Sequence, residues 1–315
     1  MKCLIVQPVH ETGLSLLRDN GIEPVLCPAS DMETVARHVT GCDAAITRDA
    51  GFSARAIEAG DRLRVVVVHG TGHDAVDKDA ASERGILVCN TPGANARSVS
   101  ELALGLALAA ARLIPAADRA ERAGVRGFRE RARFVELSGK VALIVGWGAT
   151  GRGLGDMLRA ALGMRVLVHS PRAADLDGFE RCASLEDGLR QADLISLHTP
   201  LRPETRHLID ARALGHTKPG AILINTARAG LVDEAALFDA LETGRVSAAG
   251  LDVYSPGAPG GPLGRSDRVI FTPHLGGTTG EALERVALGA ARNVIQALSG
   301  RRPATALNSP VGAPA

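Results

Sequence analysis

The sequence predicts an α/β protein of two doubly wound parallel-sheet domains, and three observations carry that reading. Short apolar runs of strand character alternate with segments of helical periodicity along the chain. Gly146, Gly148 and Gly151 form G-x-G-x-x-G between an apolar run, Val141–Val145, and a helical segment, Thr150–Leu162. The length, 315 residues, is more than one hydrophobic core usually organises. A hydrophobic content of 45% supplies the interiors, and with 3% aromatic residues they are filled by Ala, Val, Leu and Ile.

In chain order, the first strands are expected at Cys3–Gln7, Glu23–Leu26, Ala44–Thr47, Leu63–Val68 and Ile86–Val88, with helical segments such as Thr12–Asn20 and Met32–Val39 between them. That alternation implies a parallel sheet covered by helices. His69-Gly70-Thr71-Gly72-His73-Asp74 follows the Val65–Val68 run. A glycine-rich loop there either offers free N–H groups to a carboxylate or is an ordinary tight turn. Asn90-Thr91-Pro92-Gly93 is dense turn punctuation before a long Ala/Leu helix over Arg97–Leu113, so Thr91–Asn95 is a candidate crossing between domains. Further strands are expected at Arg165–His169, Leu194–Leu197, Ile222–Asn225, Ala248–Leu251 and Val269–Thr272, and a last helix at Gly280–Leu298. The tail from Arg301 to Ala315, rich in Pro, Ala and Gly, is expected to fray.

The glycine motif has a physical purpose. Gly146 permits a tight turn, Gly148 lets the backbone approach a pyrophosphate, and Gly151 lets helix pack on strand, with the anion at the positive helix N-terminus. The strand Arg165–His169 follows at the spacing where such a unit reads the ribose. An NAD-type site carries Asp or Glu there, whereas this chain has Ser170 and, two residues on, Arg172. Ser can hydrogen-bond a 2′-phosphate and Arg can pair with it, so NADP(H) is preferred and NAD(H) stays compatible; the bland alternative is that Arg172 is a solvated loop residue.

Bulk properties exclude other classes. A net charge of +1 gives no drive toward nucleic acid or an acidic membrane, and the seven arginines of Arg112–Arg133 are interleaved with Asp118, Glu121 and Glu130, which suits a solvated face or a subunit contact. Five dispersed cysteines without C-x-x-C suit reduced core thiols, and no metal-binding cluster is expected. The N-terminus lacks a signal pattern and the apolar stretch Leu102–Ala111 is too short to span a bilayer, so a cytoplasmic protein without membrane or nucleic-acid partners is expected.

The chain resembles the D-isomer-specific 2-hydroxyacid dehydrogenases, which include phosphoglycerate dehydrogenase and the glyoxylate and hydroxypyruvate reductases. The resemblance rests on Gly-Thr-Gly-His-Asp-Ala-Val-Asp (70–77), Asn-Thr-Pro-Gly-Ala-Asn-Ala-Arg-Ser-Val-Ser-Glu (90–101), the dinucleotide motif, His-Thr-Pro-Leu-Arg-Pro-Glu-Thr-Arg (198–206), Ile-Asn-Thr-Ala-Arg-Ala-Gly-Leu-Val-Asp-Glu (224–234), Gly-Leu-Asp-Val-Tyr (250–254) and Thr-Pro-His-Leu-Gly-Gly (272–277). It implies a flavodoxin-like substrate domain, residues 1–94 plus 281–315, and a Rossmann cofactor domain, residues 95–280, usually dimeric through the latter. It implies reduction of a 2-oxo acid by a nicotinamide cofactor, with Arg228 on the family's catalytic arginine and His274 on its acid–base histidine. A guanidinium can hold a carboxylate and polarise a carbonyl, and an imidazole titrates near neutral pH. By the same resemblance Gly70, Thr71 and Gly72 face the substrate carboxylate, and Arg48 is either substrate-facing or a surface charge. The cofactor set is Gly148, Ala149, Thr150, Gly151, Arg152, Ser170, Arg172, Thr199, Pro200, Thr226, Ala227, Asp252, Gly276 and Gly277, with Asp252 expected at the nicotinamide carboxamide.

Three departures qualify that set. Family members usually carry a glutamate five residues after the Asp of Leu-Asp-Val, orienting the histidine and keeping it protonated; here the position is Gly257, and no carboxylate follows Asp252 until Asp267. A lost carboxylate partner weakens a general acid, typically worth ~10²–10⁴ in rate. His69 and His73 either supply a substitute hydrogen bond or are structural. Ala229 replaces the glycine usually following the catalytic arginine, and Val68 stands where phosphoglycerate enzymes can carry an arginine, which favours a small acid such as glyoxylate or hydroxypyruvate. The alternative is a nucleotide-binding sensor or scaffold, weakly active or inactive, that has lost the glutamate.

Overall fold

In the computed structural model, which describes residues 1–310, the apolar runs pair into two sheets whose strands are all parallel. The elements are β1 (Lys2–Ile5), α1 (Glu11–Asp19), β2 (Glu23–Leu26), α2 (Met32–His38), β3 (Ala44–Thr47), α3 (Ala54–Ala59), β4 (Val65–Val68), α4 (Lys78–Glu83) and β5 (Leu87–Cys89). Then come α5 (Ala96–Ala111), α6 (Ile114–Arg122), α7 (Phe128–Arg131), β6 (Val141–Val145), α8 (Ala149–Leu162), β7 (Arg165–His169), β8 (Glu180–Arg181), α9 (Leu185–Gln191), β9 (Leu194–Leu197) and α10 (Ala211–His216). The chain ends with β10 (Ala221–Asn225), α11 (Glu234–Glu242), β11 (Val246–Leu251), β12 (Val269–Phe271) and α12 (Gly280–Leu298). No single helix among the described residues is long and apolar enough to cross a membrane.

The chain divides into two compact units, Met1–Asn95 with the chain from Gly277 on, and Ala96–Gly276. In the first unit the sheet order is β2-β1-β3-β4-β5, the flavodoxin-like order. Alternate residues of its strands feed opposite faces: Leu4, Ala45, Val66 and Val88 pack with Val35, Phe52 and Ile57, while Ile5, Ala44, Val65 and Val67 pack with Leu17, Ala290 and Val294. The Val-Val-Val-Val run of β4 is buried throughout because helices cover both faces. Helix α1 lies so close to α12 that a Cβ at Gly13 would sit 2.8 Å from the Ala287 carbonyl oxygen.

The second unit has the order β12-β11-β10-β9-β6-β7-β8, a Rossmann sheet that reverses direction of travel at β6. One face packs Leu143, Ile195, Leu223 and Ala249 against Leu189, Leu214 and Leu237; the other packs Ile144, Val166, Ile224 and Ala248 against Ala103, Leu106, Leu154 and Leu158. Ser100 is wholly buried in α5 and donates to the Thr150 carbonyl at 2.8 Å, and Gly153 leaves the room, since a Cβ there would meet the Ser100 hydroxyl at 2.6 Å.

The expected strands and the last helix coincide with observed elements to within one or two residues. The two-residue β8 has no apolar run to announce it. The tail does not fray over 301–310: Leu307 N–H donates to the Val88 carbonyl and Asn308 Oδ1 accepts from Val88 N–H, adding an antiparallel contact beside β5. Backbone hydrogen bonding to a strand edge overrides the disordering composition; residues 311–315 of that expectation lie outside the described residues.

Candidate active site

The glycine turn sits where β6 and β9 diverge, the crevice in which open α/β sheets bind ligands. Gly146 has φ +99°, and a Cβ there would be 2.6 Å from the His198 carbonyl, so glycine is required twice over. A Cβ on Gly151 would be 2.1 Å from the Gly146 oxygen, whereas one on Gly148 meets nothing within 4 Å. Gly148 is the N-cap of the 14-residue helix α8 and no side chain caps it, so the N–H groups of its first turn stay open to an anion. The Thr226 hydroxyl, just beyond β10, is buried without a hydrogen-bond partner. An uncapped helix end over open space and an orphaned buried hydroxyl fit a dinucleotide.

The loop after β7, where the ribose-reading residues are expected, is already knitted together. Arg172 Nη2 lies 3.1 Å from Glu204 Oε1, both side chains well exposed, and Arg152 pairs with Asp177 at 2.8 Å. Arg181 donates to the carbonyls of Ser170 and Ala173, shaping the loop after β7. Contrary to a free basic group awaiting a phosphate, Arg172 has a carboxylate partner supplied from the segment after β9, a contact invisible along the sequence. Thr199 is half-buried and Pro200 exposed at the end of β9; His198, beside them, bonds Ser196 at 2.8 Å and burial pushes its imidazole down to about 4.

Two loops on neighbouring strands hold the residues expected to be catalytic. At the end of β10, buried Asn225 donates through Nδ2 to the Arg228 carbonyl (2.8 Å) and accepts Ala227 N–H at Oδ1 (3.0 Å), a local clamp that holds the half-buried Arg228. At the end of β11, Asp252, 2% exposed, accepts the Thr272 hydroxyl and Leu275 N–H at Oδ1 (2.6 and 2.7 Å) and Gly276 N–H at Oδ2 (2.9 Å). A carboxylate has about four lone-pair sites, so one direction on Oδ2 stays available to a carboxamide. Between those donors His274 takes φ +55° and its N–H donates to the Thr272 carbonyl at 2.8 Å, leaving the side chain exposed. Left-handed backbone costs a non-glycine residue ~1–3 kcal/mol and persists where its surroundings dictate it. Gly257 is exposed with nothing within 4 Å of a Cβ, and among the described residues no carboxylate bonds the His274 ring.

The first unit places Arg48, His69 and the glycine loop at the carboxyl ends of β3 and β4. Gly70 N–H, expected to face the substrate carboxylate, is instead engaged within the loop, donating to the Val68 carbonyl and to the Thr91 hydroxyl (3.0 and 2.9 Å). The N–H groups of Thr71 and Gly72 are exposed and have no protein acceptor among the described residues. Buried Asn90 holds the Thr71 carbonyl at 2.8 Å, and Arg48 Nη1 donates to the Pro8 carbonyl. Gly277 belongs to this unit, tight against Asn95, and not with Gly276. Asn90, Ser100 and Asn225 lie within the motifs quoted above but have no role assigned from the sequence; a polar residue at an apolar strand's end or inside an apolar helix is the local signal for such a role.

Residues 104–276 match the family model for the D-isomer specific 2-hydroxyacid dehydrogenase, NAD binding domain. Among curated relatives, the D-3-phosphoglycerate dehydrogenase of Archaeoglobus fulgidus is 36% identical over 98% of this chain. The chain spans only 60% of that relative's length. The hydroxypyruvate reductase of Thermotoga maritima is 34% identical over 92% of this chain and 96% of its own. A crystal structure of a Thermus thermophilus protein superposes with a TM-score of 0.90 at 34% identity, covering 98% of this chain and all of that one. With the glycine turn, the Asn225–Arg228 clamp and the Asp252–His274 loop in place, the chain belongs to the D-isomer specific 2-hydroxyacid dehydrogenase family.

Proposed function

We propose that this protein reduces a small 2-oxo acid, such as glyoxylate or hydroxypyruvate, to the D-2-hydroxy acid, preferring NADP(H) and accepting NAD(H). The observation that carries the reading is Asp252 stapling the loop of His274 while, on the adjacent strand, Asn225 clamps the loop of Arg228. The relatives named as dehydrogenase and reductase favour this over a nucleotide-binding sensor or scaffold.

The dinucleotide would be held by the α8 N-terminus with Gly148, Ala149, Thr150 and Gly151, by Arg152, Thr199, Pro200, Thr226, Ala227 and Gly276, and at its ribose by Ser170 and Arg172. When bound and reduced, it supplies the hydride that the keto carbon takes up. Arg228 binds the substrate carboxylate and polarises the carbonyl; His274 gives its proton to the carbonyl oxygen, so that one hydride and one proton convert the 2-oxo acid to the 2-hydroxy acid. The Thr71 and Gly72 N–H groups offer a carboxylate site in the other unit. Buried Val68 in place of a cation supports a substrate without a distal phosphate. The uncharged Ser170 and the Arg172 beside it support NADP(H). A homodimer in the cytoplasm follows the family habit and the five buried free thiols.

The test is the initial rate of NADPH and NADH oxidation with glyoxylate and hydroxypyruvate, for the protein and for Gly257→Glu. Turnover that is faster with NADPH supports the reading, and a faster variant identifies Gly257 as the vacated carboxylate position. Cofactor binding without turnover in either protein overturns the proposal in favour of a sensor or scaffold.

A further inference from the structure

Within the second unit, β8 forms the edge of the sheet and sets Arg181 opposite Val168 of β7. Two residues beyond Val168 the chain turns. Ala173 N–H donates to the Ser170 carbonyl at 3.2 Å, so Pro171, whose ring fixes its φ, takes the second position of a four-residue turn and Arg172 the third. The exposed guanidinium of Arg181 reaches this turn, Nη1 donating to the Ser170 carbonyl at 2.8 Å and Nη2 to the Ala173 carbonyl. One side chain therefore grips the first and last residues of the turn, with Arg172 between them.

A carbonyl oxygen has two lone pairs, and at Ser170 both are used, one by Ala173 N–H and one by Arg181. A planar guanidinium holds its donors in a fixed fork, so bridging two carbonyls also fixes the distance between them. The backbone under Ser170 and Arg172 is thus set from β8, across the strand pair. The head of Arg172 is held separately, by the exposed pair with Glu204, which a competing anion can exchange.

Resting on the NADP(H) reading proposed above, we infer that Arg181 is a positioning residue for cofactor selection: by bridging the Ser170 and Ala173 carbonyls it fixes the turn from which Ser170 and Arg172 meet a 2′-phosphate. It acts through Arg172 and not by its own charge on the phosphate. A cofactor without that phosphate makes fewer demands on the turn, so the effect falls on NADPH more than on NADH.

The experiment measures Kd for NADPH and for NADH by quenching of Trp147, the one tryptophan of the chain, which lies in the glycine turn. The proteins are the full chain, Arg181→Ala, Arg181→Lys, Arg172→Ala and the double variant Arg181→Ala/Arg172→Ala. Arg181→Ala should cut the preference for NADPH about 5- to 10-fold at an unchanged melting temperature, as expected for lost charge-assisted hydrogen bonds at an exposed site. Lys keeps the charge without the fork, so Arg181→Lys should fall with Arg181→Ala. In the Arg172→Ala background the second substitution should move the preference by less than about 2-fold, because the two arginines act as one unit. A full preference in Arg181→Lys, an equal loss for both cofactors in Arg181→Ala, or an undiminished effect in the Arg172→Ala background overturns the inference. A preference that Arg172→Ala abolishes and Arg181→Ala leaves intact overturns it alone, whereas a parent without preference for NADPH overturns the NADP(H) reading with it.

Discussion

The Thr272 hydroxyl donates to Asp252 Oδ1 at 2.6 Å, closing the first link of a staple that reaches from the end of β11 across the His274 loop. Two more links follow from Leu275 and Gly276 N–H, so one buried carboxylate organises the backbone on both sides of the histidine. Asp252→Asn turns one acceptor into a donor facing N–H or O–H groups. Kinetics should show kcat/KM lowered about 10- to 100-fold, the rate equivalent of ~1–3 kcal/mol for an unsatisfied buried group, with a depressed melting temperature. Unchanged kinetics would show that the loop holds itself.

Gly148 and Gly151 should fail in different ways when changed to Ala. The Cβ at Gly151 collides with the Gly146 carbonyl at 2.1 Å, so Gly151→Ala should melt several degrees lower, as overpacking costs typically ~1–3 kcal/mol. The Cβ at Gly148 meets open space. Gly148→Ala should keep its melting temperature and weaken nucleotide binding roughly 10-fold or more by holding the pyrophosphate off the helix end. Calorimetry and fluorescence titration separate the two; equal melting temperatures would refute the steric account.

Glu204 occupies Arg172 through an exposed pair, worth about 0.2–1 kcal/mol. A 2′-phosphate must compete with it. Glu204→Gln should therefore lower KM for NADPH about 2- to 5-fold without a matching change for NADH, and Arg172→Ala should raise KM for NADPH. If Glu204→Gln shifts both cofactors alike, Arg172 does not read the phosphate.

His69 and His198 are both held near 4, against an ordinary 6.5, chiefly by burial. In the interval between those values the unfolded chain binds protons that the folded chain does not. Their contribution to stability is thus fully present above pH 6.5 and is lost as the pH falls toward 4, with a slope up to ~1.4 kcal/mol per pH unit for each histidine. Urea midpoints measured from pH 7.5 down to 4.5 should fall across that window, and less steeply in His198→Asn. A flat profile would mean that both rings protonate without unfolding the chain.

The short-range features were legible in the residues themselves. Strands such as Glu23–Leu26, Ala44–Thr47 and Leu194–Leu197 and the helix Gly280–Leu298 declare themselves because apolar periodicity and capping act over a few residues. The glycine turn does so because the sterics of Gly146 and Gly151 leave few substitutes. Arg228 and His274 were found only through the family motifs around them, since an isolated arginine or histidine carries no positional signal.

Tertiary structure decided which groups are already engaged. Gly70 N–H is turned back to Thr91, 21 residues away; Arg172 meets Glu204, 32 residues on; and Asp252 commits three acceptor directions to a loop 20 to 24 residues later. Hydrogen bonds and ion pairs across such separations depend on strand order and loop return, which spacing along the chain does not encode. For the same reason the sequence determined the sheets, the glycine turn and the residue types available for chemistry, while the folded chain decided that Arg172 is paired with Glu204 and that Asp252, not a carboxylate at 257, holds the histidine loop. Propensity and periodicity are local, whereas satisfying a buried polar atom is a property of everything packed around it.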